Sequence, residues 1–91
     1  MLPPDDIATR SRVCFLLGTS YEILTQLDEA ERYLTEAHDL GQRAGDFWGS
    51  IGGAAYLAQI WHMRGKLNDA VALDERAIAL AGLAPAGANA R

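Results

Sequence analysis

Disulfides, basic tracts and long apolar runs are all missing from this chain. A single cysteine, Cys14, excludes an internal disulfide, and no cluster of Cys and His at ligand spacing offers a zinc staple. Eight basic residues against twelve acidic ones leave a net charge of −4. No basic face is then available for a phosphate backbone, so direct nucleic-acid binding by this segment is not expected. The longest apolar stretches, such as Val13–Leu17, fall far short of the roughly 20 residues that span a bilayer. The start, Met1-Leu-Pro-Pro-Asp-Asp, has neither the basic beginning nor the apolar run of a signal peptide, so a cytoplasmic location and no membrane contact are expected.

What is present is ordinary globular material, 49% apolar and 22% charged. Ninety-one residues make one domain or less. A core this small, without staples, folds only if it packs very well or borrows a partner. Sixteen alanines suit helices that approach one another closely.

The chain repeats itself at an offset of 40 residues, which places Ala30 on Ala70 and Ala37 on Ala77. The first stretch reads Leu17-Gly18-Thr-Ser-Tyr21, then Leu27-Asp-Glu-Ala30, Ala37 and Leu40. The second reads Leu57-Ala58-Gln-Ile-Trp61, then Leu67-Asn-Asp-Ala70, Ala77 and Leu80. Small residues recur beside large apolar ones, as two closely crossing helices require.

Four helices are predicted. The first follows Pro3-Pro4, with Asp5 or Asp6 as N-cap, and carries an apolar stripe of Val13, Leu16, Leu17, Tyr21 and Leu24. The second begins near Thr25–Asp28 with a capping-box pattern, and its stripe is Leu27, Ala30, Leu34, Ala37 and Leu40. Its solvated face holds the i,i+4 pairs Asp28–Arg32 and Asp39–Arg43. Gly45 and Asp46 then read as a C-cap followed by an N-cap. The third helix is predicted over Phe47–Met63, ending at Gly65. Gly49 and Gly52 in its first turns mark either close packing or a kinked start. The fourth, Asn68–Ala81, stops at Gly82 and carries Leu67, Ala70, Leu73, Ala77 and Leu80. The tail 83–91 reads as a flexible linker. No run alternates long enough for a strand, so the fold class is all-α.

Catalytic chemistry is sought without success. Gly65-Lys66 is followed by Leu67 rather than Ser or Thr, so no phosphate-binding loop exists there. Gly49, Gly52 and Gly53 lack dinucleotide-binding spacing. His38 and His62 have no partner ligand, and Cys14 reads as a small buried packer. The carboxylates Asp28, Glu29, Glu31, Glu36 and Asp39 read as a solvated helix face, and Trp48 and Trp61 as packers. No catalytic residue, metal ligand or cofactor is predicted.

The repeat resembles the tetratricopeptide unit. Leu17, Gly18, Tyr21, Ala30, Leu34 and Ala37 match its consensus in the first copy. Leu57, Ala58, Trp61, Gly65, Ala70 and Ala77 match it in the second. The resemblance implies two tandem helix–turn–helix units, 9–45 and 46–82, in a right-handed superhelix, with 1–8 as lead-in and cap. The period of 40 exceeds the usual 34, the extra residues falling near Arg43–Trp48. Phrases such as Leu2-Pro-Pro-Asp-Asp, Thr25–Glu31, Ala44-Gly-Asp-Phe and Arg64–Ala70 also resemble the helical-repeat sensor region of MalT-type, LuxR-family bacterial transcriptional regulators. That likeness implies a non-catalytic sensing or protein-interaction segment. The alternative is a stand-alone adaptor holding a peptide or protein in its groove.

The sequence departs from the consensus at Asp74, where an aromatic residue is expected. Either the fourth helix rotates to put Leu73 in that slot, or Asp74 faces a neighbouring unit. The clamp residues of peptide-carboxylate binders are replaced by Phe15, Thr19, Ala55 and Gln59. In the resembled fold the groove would be lined by Arg12, Thr19, Glu22, Tyr56, Gln59, His62 and Met63, a mixture suited to a peptide or small inducer. Because repeat arrays need about three units to cover their faces, two units should self-associate through their exposed ends. The chain then reads as a piece of a longer array.

Overall fold

The computed structural model describes residues 6–83, and among them the chain is all-α, without strands. Helix α1 spans Ile7–Ile23 and α2 spans Leu27–Ala44. A π-helical turn, Trp48–Gly52, leads into α3 (Gly53–Met63), and α4 spans Leu67–Leu83. The expected tail 84–91 and the lead-in 1–5 lie outside the described residues.

Local chemistry accounts for most boundaries. The Asp6 carboxylate caps α1, accepting from the Thr9 backbone N–H (3.1 Å) and hydroxyl (2.8 Å). Those two bonds hold the Asp6 carboxyl below its usual range, the hydroxyl contributing most. Gly45 ends α2 in the left-handed region, at φ 70°. The two interhelical turns carry the same backbone bonds at the 40-residue offset. Gln26 N–H donates to Tyr21 O as Lys66 N–H does to Trp61 O, and Thr25 N–H to Glu22 O as Gly65 N–H does to His62 O. Both turns need a positive φ at their centre, 81° at Gly65 and 59° at Thr25.

Thr25 therefore sits in a conformation that costs a β-branched residue about 1 kcal/mol or more. The capping box expected there does not form. The Thr25 hydroxyl donates to Leu24 O (2.6 Å), and Gln26 occupies the N-cap without a side-chain bond. Thr25→Gly should stabilise the protein by roughly 0.5–1 kcal/mol, read as a raised denaturation midpoint at unchanged m-value.

Four further expectations are corrected. Arg32 pairs with Glu29, one turn away, while Asp28 reaches across to Arg64 on the α3–α4 turn. Asp39 and Arg43 form no ion pair. Asp46 caps nothing with its side chain; its carboxylate turns to Arg12. Helix α4 continues through Gly82 to Leu83.

Two buried clusters form the core: Cys14, Ala37 and Leu40 where α1 meets α2, and a larger one where α3 packs between α2 and α4. Ala30, Leu34, Ala54, Leu57, Ala58, Ile60, Ala70, Leu73 and Ala77 are buried together, with Tyr21, Leu27 and Trp61 packed on the rim. Leu73 is buried in this cluster, while the half-buried Asp74 lies beside His62, with Oδ2 3.4 Å from Nε2.

Helix α1 packs in the opposite sense to its apolar stripe. Its buried side is Ser11, Cys14 and Gly18, while Val13, Leu16, Leu17 and Leu24 face outward, Leu16 at 62% exposure. Close approach to α2 decides this. A Cβ at Gly18 would lie 2.6 Å from Leu34 Cγ, and the Ser11 hydroxyl donates to Ala37 O at 3.1 Å. Only small residues fit that seam.

Candidate functional site

The seven residues expected to line a groove are placed as follows. Arg12 leaves the row to pair through Nε with Asp46 Oδ1 (3.3 Å). Tyr56 stands edge-on to Phe15, with ring centroids 5.5 Å apart. His62 Nε2 lies 3.4 Å from Asp74 Oδ2, and the Thr19 hydroxyl bonds back to Leu16 O within its own helix. Gln59 and Met63 are exposed, and Glu22 is half-buried. No hydrogen bond or ion pair joins any two of the seven. Arg12, Tyr56 and His62 are engaged by side chains of other elements, which spacing along one helix does not report.

Glu22 has no partner of its own, and burial pushes its carboxyl above the usual range. The folded state therefore holds this proton more tightly than the unfolded chain does. Its contribution to stability is fully present below the ordinary glutamate pKa and is lost as pH rises through the raised value. Glu22→Gln should raise stability at neutral pH and leave it unchanged in acid, which urea titrations at the two pH values would measure.

Among the residues expected to pack the repeats, Ala30, Ala37, Leu57, Ala58, Ala70, Ala77 and Gly18 are buried. Tyr21 and Trp61 are half-buried, Tyr21 stacking on Tyr33 at 5.6 Å. Leu17 is 38% exposed for the reason that turns the rest of the α1 stripe outward. Cys14 is buried at the α1–α2 seam, and desolvation, with the nearby Glu36 charge, pushes its thiol up. It stays protonated and is a poor nucleophile.

The sequence reading missed the π turn and the cavity beside it. Ser50 donates from both its backbone N–H (2.9 Å) and its hydroxyl (3.0 Å) to Asp46 O. His38 Nδ1 lies 2.7 Å from Ser50 O; a carbonyl only accepts, so the proton sits on Nδ1. The widened turn forms one wall of a 720 Å³ cavity also bordered by Arg12, Asp46, Trp48 and Ala81. Trp48, expected to be a packer, is 67% exposed there. Asp46 is buried with Oδ2 unpartnered, and that oxygen is itself closed off from solvent, so it offers no open contact to a ligand. The three glycines near the turn were the available signal, because they permit both the widening and the close approach to α2.

The acidic face of α2 is engaged by basic side chains. Arg64 holds Asp28 (2.6 Å) and Glu31 (3.3 Å), Lys66 adds to Glu31 (3.8 Å), and Arg10 meets Glu36 (3.4 Å). Among the described residues no group of three His, Cys, Asp or Glu could hold a metal, and no helix is long and apolar enough to cross a membrane.

Among the described residues, the outer face of α1 carries a set of exposed aliphatic side chains. Val13, Leu16, Leu17 and Leu24 follow helical spacing, and Ile23 beside them is 81% exposed. On α4, Leu67, Val71 and Ile78 form a second outward row. Contiguous apolar rows of this kind mark interaction surfaces. No protein-family model, curated protein or solved structure matches the chain.

Proposed function

We propose that this chain is a non-catalytic interaction segment, built of two tetratricopeptide-like units, which docks protein through the outer face of α1. The observation that carries the reading is the packing of α1: Val13, Leu16 and Leu17 face outward while Ser11, Cys14 and Gly18 are buried. An isolated globular domain gains nothing from exposing Val13, Leu16, Leu17 and Leu24 together; a helix that meets another protein does. The matched hydrogen bonds of the two turns support the tandem-unit part of the proposal.

The partner is a protein or peptide presenting an amphipathic helix, recognised by apolar anchors at i, i+3 and i+4 spacing. A labelled, leucine-striped helical peptide should bind saturably by fluorescence anisotropy. Leu16→Lys should weaken that binding at least tenfold without altering helicity, because this side chain is 62% exposed. Absence of saturable binding would sink the docking reading.

Within this reading the chain is a cytoplasmic sensor segment of a MalT-type regulator, supported by the phrases quoted from its turns and links. A reading frame without an NTPase motif upstream and a helix-turn-helix downstream would remove that assignment and leave the stand-alone adaptor. Titration with small metabolites, followed through Trp48 and Trp61 fluorescence, separates the two. Saturable change favours the sensor.

A further inference from the structure

The 40-residue offset relates the internal α2–α3 interface to the two outward faces at the ends of the molecule. Each α2 residue that meets α3 or its turns has an equivalent on α4, and each α3 residue that meets α2 has one on α1. Arg64 and Glu31 are ion-paired across the internal interface (3.3 Å); their equivalents are Leu24 and Val71, both exposed and both apolar. Gly53 lies against the backbone of His38; the equivalents are Val13 and Ile78, again both exposed and apolar. Leu34 and Ile60 share the buried core, and their equivalents are Asp74 and Ser20, a carboxylate and a hydroxyl. At these three positions the two faces change character together, while the Arg64–Asp28 pair maps to Leu24 and Asn68. A charged pair becomes an aliphatic pair, and an aliphatic pair becomes a donor with an acceptor.

We infer that α4 of one copy of this chain receives α1 of a second copy, in the register by which α2 receives α3. This deepens the docking reading above by naming the occupant of the α1 face. Thr9 and Val13 replace Gly49 and Gly53, so the helices stand farther apart between copies than within one. The contact is heterologous: one face of each copy is used and the other left free. Such a contact propagates head to tail rather than stopping at a pair.

Sedimentation of the full chain over a wide concentration range tests this, with two variants at exposed positions. Wild-type mass should climb past twice the 9.8 kDa chain. Leu24→Glu closes the α1 face and Val71→Arg the α4 face, so each alone should sediment as a single chain with unchanged helicity. Mixed one to one, they should form a dimer and nothing larger, since one intact face of each kind remains. A wild-type mass of one chain throughout overturns the inference. So does Val71→Arg associating as strongly as wild type, which is the mark of an α1–α1 contact. If the chain stays monomeric while the helical peptide still binds, docking stands with a different partner. If neither associates, both readings fall.

Discussion

Gly41→Ala should lower the melting temperature by roughly 10–20 °C. Gly41 lies where α2 crosses the π turn. A Cβ there would overlap Ser50 N and stand 2.7 Å from Gly49 C and 2.9 Å from Asp46 O. All three are backbone atoms, so no rotamer change can relieve the contact. The helix and the turn must separate, at a cost of about 3 kcal/mol, the upper end of ordinary overpacking. A domain of this size has only about 5–15 kcal/mol in hand. Gly82→Ala is the control: no atom of the described residues lies within 4 Å of the added Cβ, and at the last turn of α4 the substitution should change stability by less than about 0.5 kcal/mol. Thermal melts followed by circular dichroism read both. Equal effects of the two substitutions would show that the crossing is looser than described.

Leu34→Ala should cost about 3–5 kcal/mol and bring the protein close to unfolding at ambient temperature. Leu34 is fully buried, with Gly18 of α1 against its side chain and Gly53 of α3 against its carbonyl. It touches both neighbouring helices, and backbones already in close contact cannot collapse into the space it leaves. Removing it forfeits the transfer free energy of the lost methyl groups and opens a cavity as well. Leu16→Ala removes the same atoms from a side chain that is 62% exposed, and should change the stability of the dilute protein by less than about 0.5 kcal/mol. Urea denaturation of the pair at low concentration checks the contrast. A large loss from Leu16→Ala would mean that α1 packs by its aliphatic stripe after all.

Much of the candidate site could be named in the sequence but not assembled there. Arg12, His62 and Glu22 are at spacings that put them on inward helix faces, yet Asp46 takes Arg12 and Asp74 takes His62. Those partners are 34 and 12 residues away, and no local pattern reports such a pairing. The cavity and its exposed Trp48 depend on the π turn, which local propensity does not specify. Arg64 is similar: its position in a turn was legible, but its grip on Asp28 and Glu31 exists only because α2 and the second turn lie side by side.

The sequence by itself determined that the chain forms four helices and where most of their boundaries fall. Asp6, Gly45 and Gly65 act on their immediate neighbours, and the two turns follow a repeat that is plain in the chain. Short-range hydrogen bonding and backbone sterics suffice for that. Only the tertiary structure decided which way α1 faces. Apolar periodicity finds the greasiest side of a helix and assumes it is buried. At this seam interaxial distance outweighs side-chain size: α2 comes so close that Ser11, Cys14 and Gly18 are what fits, and the leucines are left outside.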